Sequence, residues 1–509
     1  MNKPVIWSIA GLDSGGGAGL SADQRAADAM GVHLCPVAAA LTAQNSVAVD
    51  AVFPVQSEQL DAQLAALAQD LAPTVIKTGL LGGVEQLRVV TRWVDRLRER
   101  APVALVVDPV LRASTGASFA DDDLLRAYRE ELLPRATAVT PNRREATRLV
   151  GEGCPQQQAP ALGVATVCIT GGDEAGPLAV DWLQSPQASG WLALPWRAAR
   201  NNHGTGCCFA TALAAALARG FAPADAAVLA KMLTASGLLA DATPGAGAGP
   251  VRPSAGFITD PGLLPALFDT APTAWPARCD GPPAVEGIYG ITDSGAHVVA
   301  LFGAGLATVQ LRLKRAESES GAAWHTRLAG EVQPALDAAH RLGATLIVND
   351  HWRAALALGV GFVHLGQEDL LALDTAARAD LAQARARGLR LGISSHSLWE
   401  LARAVAWAPD YIACGPVWPT LTKAMPWRPQ GLDNLAWWAA MSPVPVVGIG
   451  GVLAPEQLVQ IAASGAAAGC VVRGLKELPA RDWLAAWRSG AGMPLATEPS
   501  WPHPSLSAL

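Results

Sequence analysis

Eight short apolar runs, separated by gaps long enough for a helix, crowd into about 200 residues of the C-terminal half. They are Ile288–Thr292, Thr308–Lys314, Thr345–Asp350, Phe362–Gly366, Arg390–Ser395, Tyr411–Val417, Val444–Gly451 and Gly469–Gly474. Most gaps hold a plausible helix, such as Trp399–Trp407 and Pro455–Ser464. A chain built this way is expected to close into a (β/α)8 TIM barrel, whose chemistry sits at the C-terminal strand ends. Those ends read QLRLK, VND, GQED, SSH, GPVWPTLTK, GIGG and VVRG, and polar and charged residues collect there. This rim is the expected active site of the second half.

Upstream, the stretch from Pro261 to Gly287 holds six prolines and no sustained period. Proline at that density blocks helices and central strands, which marks a linker. Ahead of it, apolar runs at Val5–Ala10, Val75–Thr78, Ala104–Asp108, Ala138–Thr140 and Ala165–Thr170 alternate with helical stretches. Continuous apolar strands between amphipathic helices imply an α/β layered sandwich around a mainly parallel sheet. A 509-residue chain is too long for one ordinary core. The expected organisation is residues 1–260, a Pro-rich linker 261–286, a barrel 287–489 and a loose tail 490–509 rich in Pro and Ser.

Charge narrows the partners. With a net charge of −6 and no cluster of Lys and Arg, the chain lacks the electrostatic footprint of a nucleic-acid binder. Small anionic substrates, held by a few local donors, fit instead. The eight cysteines show no metal-ligand spacing, which suits a reducing cytosol. Asp13 and a glycine cluster interrupt the N-terminal apolar run before a signal-peptide core forms. The most apolar helix candidate, Cys208–Ala218, is far below the roughly 20 residues that span a bilayer. A soluble, cytoplasmic protein with small-molecule partners and no membrane or nucleic-acid partner is expected, and a homo-oligomer is compatible with all of this. The many tryptophans read as packing residues.

Three features of the first half bear on chemistry. In IAGLDSGGGAGLSAD a strand runs into four glycines within five residues, which allows backbone to approach a ligand or simply makes a tight turn. In NNHGTGCC, Gly204, Thr205 and Gly206 would offer free amides at a helix N-terminus, where the dipole favours an anion. Cys207 in that first turn is expected to be biased toward thiolate, below about 8.5; a glycine cap over two small buried thiols reads the same letters. In TPNRREA, Asn142 and Glu145 share a face at a helix start. They could orient hydrated magnesium or form an Asn cap with a helical Glu.

Together these features resemble the hydroxymethylpyrimidine and phosphomethylpyrimidine kinases of the ribokinase superfamily. The string from Ile9 to Val49 carries the likeness, followed in order by KTGLL, DPVLRASTG, TPNRREA, ITGGDE, NNHGTGCC and GAGAGPV. The resemblance spans residues 5 to about 255 and implies a ribokinase-like αβα sandwich with ATP as co-substrate. It implies that Gly11, Asp23 and Gln44 contact an aminopyrimidine. It also implies that Cys207 accepts the hydroxymethyl proton while the Gly204 and Gly206 amides stabilise the transferring phosphoryl group. Thr170 stands where the family commonly carries Lys ahead of the two glycines.

In the barrel, Gln310, Arg312 and Lys314 alternate along one run and should project to one side, where two cations call for an anionic partner. Asp350 and Asp369 follow neighbouring strands, an arrangement suited to magnesium held by few carboxylates; a salt bridge to Asp350 and a helix cap at Asp369 are the alternatives. Lys423 adds a cation, and Gly450 and Gly451 leave free amides where barrels of this type hold phosphate. His351, His364 and His396 show no zinc spacing and read as structural or substrate-packing residues.

YGITD, QLRLK, LIVNDHWRAA, VHLGQEDL, LGISSHS, GPVWPTLTKAMPWRPQGL and VVGIGG resemble thiamine-phosphate synthase from about residue 287 to 475. The resemblance implies that Gln310, Arg312, Lys314, Asn349, Ser394 and Lys423 hold a pyrimidine diphosphate and that Asp350 and Asp369 bind Mg2+. Thr420, Thr422 and Gly451 would receive a thiazole phosphate, joined by Val472 and Arg473 on the last strand. Arg473 departs from the family by standing near a usual Ser. The implied reaction displaces pyrophosphate by the thiazole nitrogen, downstream of phosphorylation of the pyrimidine and its monophosphate. A vitamer kinase of the same superfamily, fused to a degenerate or regulatory barrel, is the rival reading.

Overall fold

The computed structural model describes residues 3–111, 121–172, 176–239, 244–277, 285–420, 426–494 and 499–506. Two compact units are present, Met1–Trp275 and Pro276–Leu506.

The first unit is built on ten strands: β1 (Val5–Asp13), β2 (His33–Gln44), β3 (Val49–Pro54), β4 (Val75–Thr78), β5 (Ala104–Val107), β6 (Ala138–Val139), β7 (Thr166–Ile169), β8 (Leu178–Gln184), β9 (Ser189–Pro195) and β10 (Ala266–Phe268). They line up as β10-β9-β8-β7-β6-β5-β4-β1-β2-β3. The six from β7 to β2 are parallel, and antiparallel strands extend both edges. Helices cover the sheet, so β4 and β7 are buried along their whole length. The helix Thr205–Ala218 packs against the helix Pro223–Gly237, and alanine on both lets their backbones approach.

All five expected strands of this unit form; β2, β3, β8, β9 and β10 were not foreseen. β2 is rich in Ala, a weak strand former, and is carried by pairing with its neighbours. The linker assignment needs correction at its start. Pro261–Leu263 forms a 3-10 turn and Ala266–Phe268 pairs with β9, because an edge strand tolerates nearby prolines as a central one does not.

The second unit is a closed barrel of eight parallel strands: β11 (Gly287–Thr292), β12 (Thr308–Leu311), β13 (Thr345–Asn349), β14 (Phe362–Leu365), β15 (Arg390–Ser395), β16 (Tyr411–Cys414), β17 (Val446–Gly448) and β18 (Ala468–Val471). Tyr289, Ile347, Phe362, Tyr411 and Cys470 fill the interior. Most strands stop short of the apolar runs that announced them, and the surplus residues become the rim loops. β12 ends at Leu311, so Arg312 and Lys314 lie in the following loop and not on the strand as expected.

The loose-tail expectation is also corrected. His503 donates its amide to Asn434 Oδ1 at 2.8 Å, and the Asn434 amide donates back to the His503 carbonyl at 3.1 Å. The Ser505 carbonyl accepts the Arg428 amide at 2.8 Å. A proline-rich segment loses little entropy on docking, so a few backbone hydrogen bonds hold it.

Candidate functional site

The C-terminal ends of the parallel strands in the first unit open into a cavity of about 1360 Å³. Gln44, Asp108, Asn142, Lys231 and the Gly204–Cys207 turn line it. Gly204 caps the helix Thr205–Ala218 at φ +87, where a side chain would be strained and would strike the Gly17 carbonyl. No side chain caps this helix, and Gly206 faces open space. The first-turn amides are thereby left for an anion.

The glycine-rich loop does a different job. Asp13 accepts the amides of Gly15, Gly17 and Ala18 at 2.8, 2.9 and 2.8 Å, so these N–H groups fold the loop around a carboxylate. The tight-turn alternative is realised there. His203 Nε2 lies 3.3 Å from Asp13 Oδ2 and 3.0 Å from the Gln44 amide. Burial works against the Asp13 charge, but His203 and the loop amides outweigh it and hold this carboxyl below its ordinary range.

Asp23 does not meet the expectation of touching a pyrimidine. It is fully buried and saturated by Lys77 at 2.9 and 3.0 Å, Ser8 at 2.6 Å and Thr211 at 2.7 Å. Lys77 also sits 3.7 Å from Asp108. Asp108 lies beside Cys207 on the cavity wall, and its Oδ2 has no hydrogen-bond partner among the described residues. Burial pushes Asp108 up to about 6 against the pull of Lys77. The thiolate expectation for Cys207 is overturned: desolvation and the charges of Asp108 and Asp23 push its thiol up to about 12, despite Lys77 and the Gly19 backbone.

Asn142 and Glu145 form a reciprocal capping box, each accepting the other's amide at 2.9 Å, while both still face the cavity. The cap alternative is therefore satisfied without removing either from the site. Lys231 donates to Asp181 Oδ2 at 2.7 Å beside Gly171, whose amide donates to Asp181 Oδ1. It places a cation near Thr170.

At the barrel rim, Asp350 follows β13 in the left-handed region at φ +65, its amide held by the His364 carbonyl. It lies against Asp369. Burial first, and then the like charge of Asp369, push Asp350 up to about 6, while Arg312 and Lys314 pull it back. Asp369 also accepts the Gly366 amide at 2.9 Å, so it caps its helix and faces Asp350 at once. Two carboxylates driven together with cations nearby fit Mg2+, which uses few protein ligands and completes its shell with water or phosphate. Among the described residues no group of three or more such ligands forms.

Gln310 donates to Asn349 at 2.7 Å, both buried. Ser394 Oγ lies 2.9 Å from His364 Nε2. Burial, and then Arg312, push His364 down to about 3, so the ring is neutral. His396 bonds Glu400 at 2.8 Å and His351 packs on Trp324, in keeping with their structural reading. Gly450 and Gly451 adopt φ +96 and +76, and a side chain on either would strike Pro416 or Trp418 in the loop leading to Thr420. Val472 is half-buried and Arg473 exposed on the last loop. Thr422 and Lys423 lie outside the described residues.

Sequence reasoning passed over Asp108, Lys77, His203 and Lys231 as site residues. The available signals were a lysine inside the apolar strand VIKT and another in the apolar helix Pro223–Gly237, since either must find a buried anion.

Comparison with known proteins agrees with this division. The family model described as phosphomethylpyrimidine kinase matches residues 13–252, and that described as thiamine monophosphate synthase matches residues 288–475. The chain is 31% identical to the chloroplastic thiamine biosynthetic bifunctional enzyme of Arabidopsis thaliana, over 88% of this chain and 85% of that one. It is also similar to the thiamine-phosphate synthase of Rhizobium etli, 42% identical over 40% of this chain and 98% of the relative. The hydroxymethylpyrimidine/phosphomethylpyrimidine kinase of Rhizobium meliloti is 38% identical over 45% of this chain and 87% of its own length.

Proposed function

The chain belongs to the bifunctional enzymes of thiamine biosynthesis that join a hydroxymethylpyrimidine/phosphomethylpyrimidine kinase to a thiamine-phosphate synthase, and from that premise we propose how its residues divide the work. In the first unit the pyrimidine hydroxymethyl oxygen attacks the γ-phosphorus of ATP and the bond to the bridging oxygen breaks, releasing ADP. The alcohol proton passes to the Cys207 sulfur as the thiol proton passes to Asp108. A resident thiolate is not needed. Amides at Gly204–Cys207 face the charge that grows on the transferring phosphoryl group. Gln44, held by His203 and Asp13, reads the pyrimidine ring edge with Gly11. Lys231 stands toward the nucleotide phosphates, where Thr170 offers no cation. The juxtaposition of Cys207 and Asp108 on the cavity wall, where Asp108 Oδ2 has no hydrogen-bond partner among the described residues, supports this assignment.

In the second unit Gln310, Arg312, Lys314, Asn349, Ser394 and Lys423 hold the pyrimidine diphosphate, with Thr420, Thr422, Gly451, Val472 and Arg473 at the thiazole phosphate. Asp350 and Asp369 would hold Mg2+, which supplies charge neutralisation for the departing pyrophosphate. The remaining work is positioning, so that the thiazole nitrogen meets the pyrimidine methylene carbon as its bond to oxygen breaks. The repulsion between Asp350 and Asp369 supports this placement. Cys207→Ala should abolish ATP-dependent phosphorylation alone, and Asp350→Ala pyrophosphate release alone. Loss of both activities from either substitution refutes the assignment.

A further inference from the structure

Inside the barrel a chain of hydrogen bonds reaches the rim from the opposite wall. Tyr289 OH on β11 meets Tyr411 OH on β16 at 2.7 Å. Tyr411 OH meets His364 Nδ1 on β14 at 2.7 Å, and His364 Nε2 meets Ser394 Oγ on β15 at 2.9 Å. The first three side chains are buried, whereas Ser394 is half-buried on the rim. Gly392 makes the crossing possible, because a side chain there would collide with the Tyr411 ring.

We propose that this chain is directional, and that Tyr289 and Tyr411 are positioning residues which fix His364 as its Nε2–H tautomer and turn the Ser394 hydroxyl proton outward, toward an anionic oxygen of the substrate diphosphate. Two head-to-tail polarities exist for a neutral ring, since an arrangement in which Tyr411 accepts from both Tyr289 and Nδ1–H strands its own buried proton. In one, Tyr289 donates to Tyr411, Tyr411 to Nδ1, and Nε2–H to Ser394, which leaves the Ser394 proton free at the rim. In the other, Ser394 donates to Nε2, Nδ1–H to Tyr411 and Tyr411 to Tyr289. The Tyr289 proton would then be buried with no acceptor among the described residues, at a full desolvation cost. Both polarities make three bonds, so the orphan proton decides between them. The winning polarity presents the rim with a pre-aimed donor that has no competing acceptor among the described residues, which is what a developing pyrophosphate charge requires.

The inference rests on placing the diphosphate at Ser394, and two measurements on the full chain separate the two ideas. Selective 15N-histidine labelling, with the His364 resonance assigned by its loss in His364→Gln, reads the tautomer without substrate. The Nε2–H pattern is expected; the Nδ1–H pattern overturns the polarity. Pyrophosphate release then tests the aim. Tyr411→Phe and Ser394→Ala should each lower kcat/KM for the pyrimidine diphosphate about ten- to a hundred-fold, with KM for the thiazole phosphate held. Tyr289→Phe, which leaves the Tyr411–His364 bond in place, should cost less than Tyr411→Phe. Equal losses from the two Phe variants would mean a merely structural role and overturn the proposal. An inert Ser394→Ala with the Nε2–H tautomer intact would refute the diphosphate placement and leave the polarity standing.

Discussion

Asp108→Asn should cost the kinase its activity and strengthen the unit that carries it. Asp108 is 4% exposed and is pushed up from 3.8 to about 6 by burial. A raised carboxyl pKa means that the fold favours the protonated form. That stability is fully present below about pH 4 and is lost as pH rises through about 6. The shift of about two units corresponds to roughly 3 kcal/mol at 1.36 kcal/mol per unit, with the attraction of Lys77 already inside it. Asparagine is neutral at every pH, so the variant should recover about 2–3 kcal/mol above pH 6. In a unit of this size that raises its Tm by about 4–12 °C. The same change removes the acceptor for the Cys207 proton, and loss of a general base slows a reaction about 10²- to 10⁴-fold. Calorimetry at pH 4 and pH 8 and the pH profile of ADP release read both effects. In the native enzyme kcat/KM should climb with pH through about 6, the ionisation of Asp108, and show no separate rise near 8.5. An Asn variant that keeps the acid limb, or that unfolds at lower temperature at pH 8, refutes the account of this carboxylate.

Two further outcomes follow from the geometry. Asp23→Asn should behave as a stability mutation: it leaves Lys77 without its 2.9 Å partner, and breaking a buried pair costs about 3–5 kcal/mol. Thermal unfolding should show the loss with KM for the pyrimidine little changed, whereas a raised KM in a fully stable variant would restore a direct contact. Deleting residues 499–509 should lower the Tm of the second unit and slow pyrophosphate release while phosphorylation of the pyrimidine is kept. The tail bonds Gln430, Asn434 and Arg428 downstream of the loop containing Thr422 and Lys423. Unchanged synthase kinetics would show that this docking is incidental to that loop.

The barrel was legible because its signal is repetition: eight apolar runs and seven polar ends state the topology without any fine detail. The first sheet was half legible. Strands rich in Val and Ile announced themselves, while β2, with its alanines, exists because its neighbours' backbones pair with it. That cannot be read from local preference. Among the candidate site residues, those on strand ends or in glycine-rich turns reach the cavity or the rim as expected, since backbone position alone places them there. Asp108 stood inside a quoted motif, yet the role proposed for it needed Lys77 at 3.7 Å and Cys207 beside it on the cavity wall. Asp23 failed for the same reason: its letter and spacing fit a ligand contact, and only Ser8, Lys77 and Thr211 converging on it reveal that its valences are spent.

That contrast gives a rule for sorting the acidic residues of this chain. Asp23 meets a lysine at 2.9 Å together with two hydroxyls, so the protein itself answers its charge. Nothing is left for a ligand to gain there. Asp108 and Asp350 are each pushed up to about 6, because the fold buries them beside another carboxylate and gives them too little positive charge in return. A folded protein gains nothing for its own stability by holding a carboxylate in that condition. On the proposed assignments the missing charge comes with the reaction: a proton handed on by Cys207 at Asp108, and a divalent cation with its phosphates at Asp350. Asp350 is thus most comfortable when cation and diphosphate are both present, and for that reason saturating pyrimidine diphosphate with Mg2+ should raise the Tm of the second unit most at the pH values where this carboxylate is ionised.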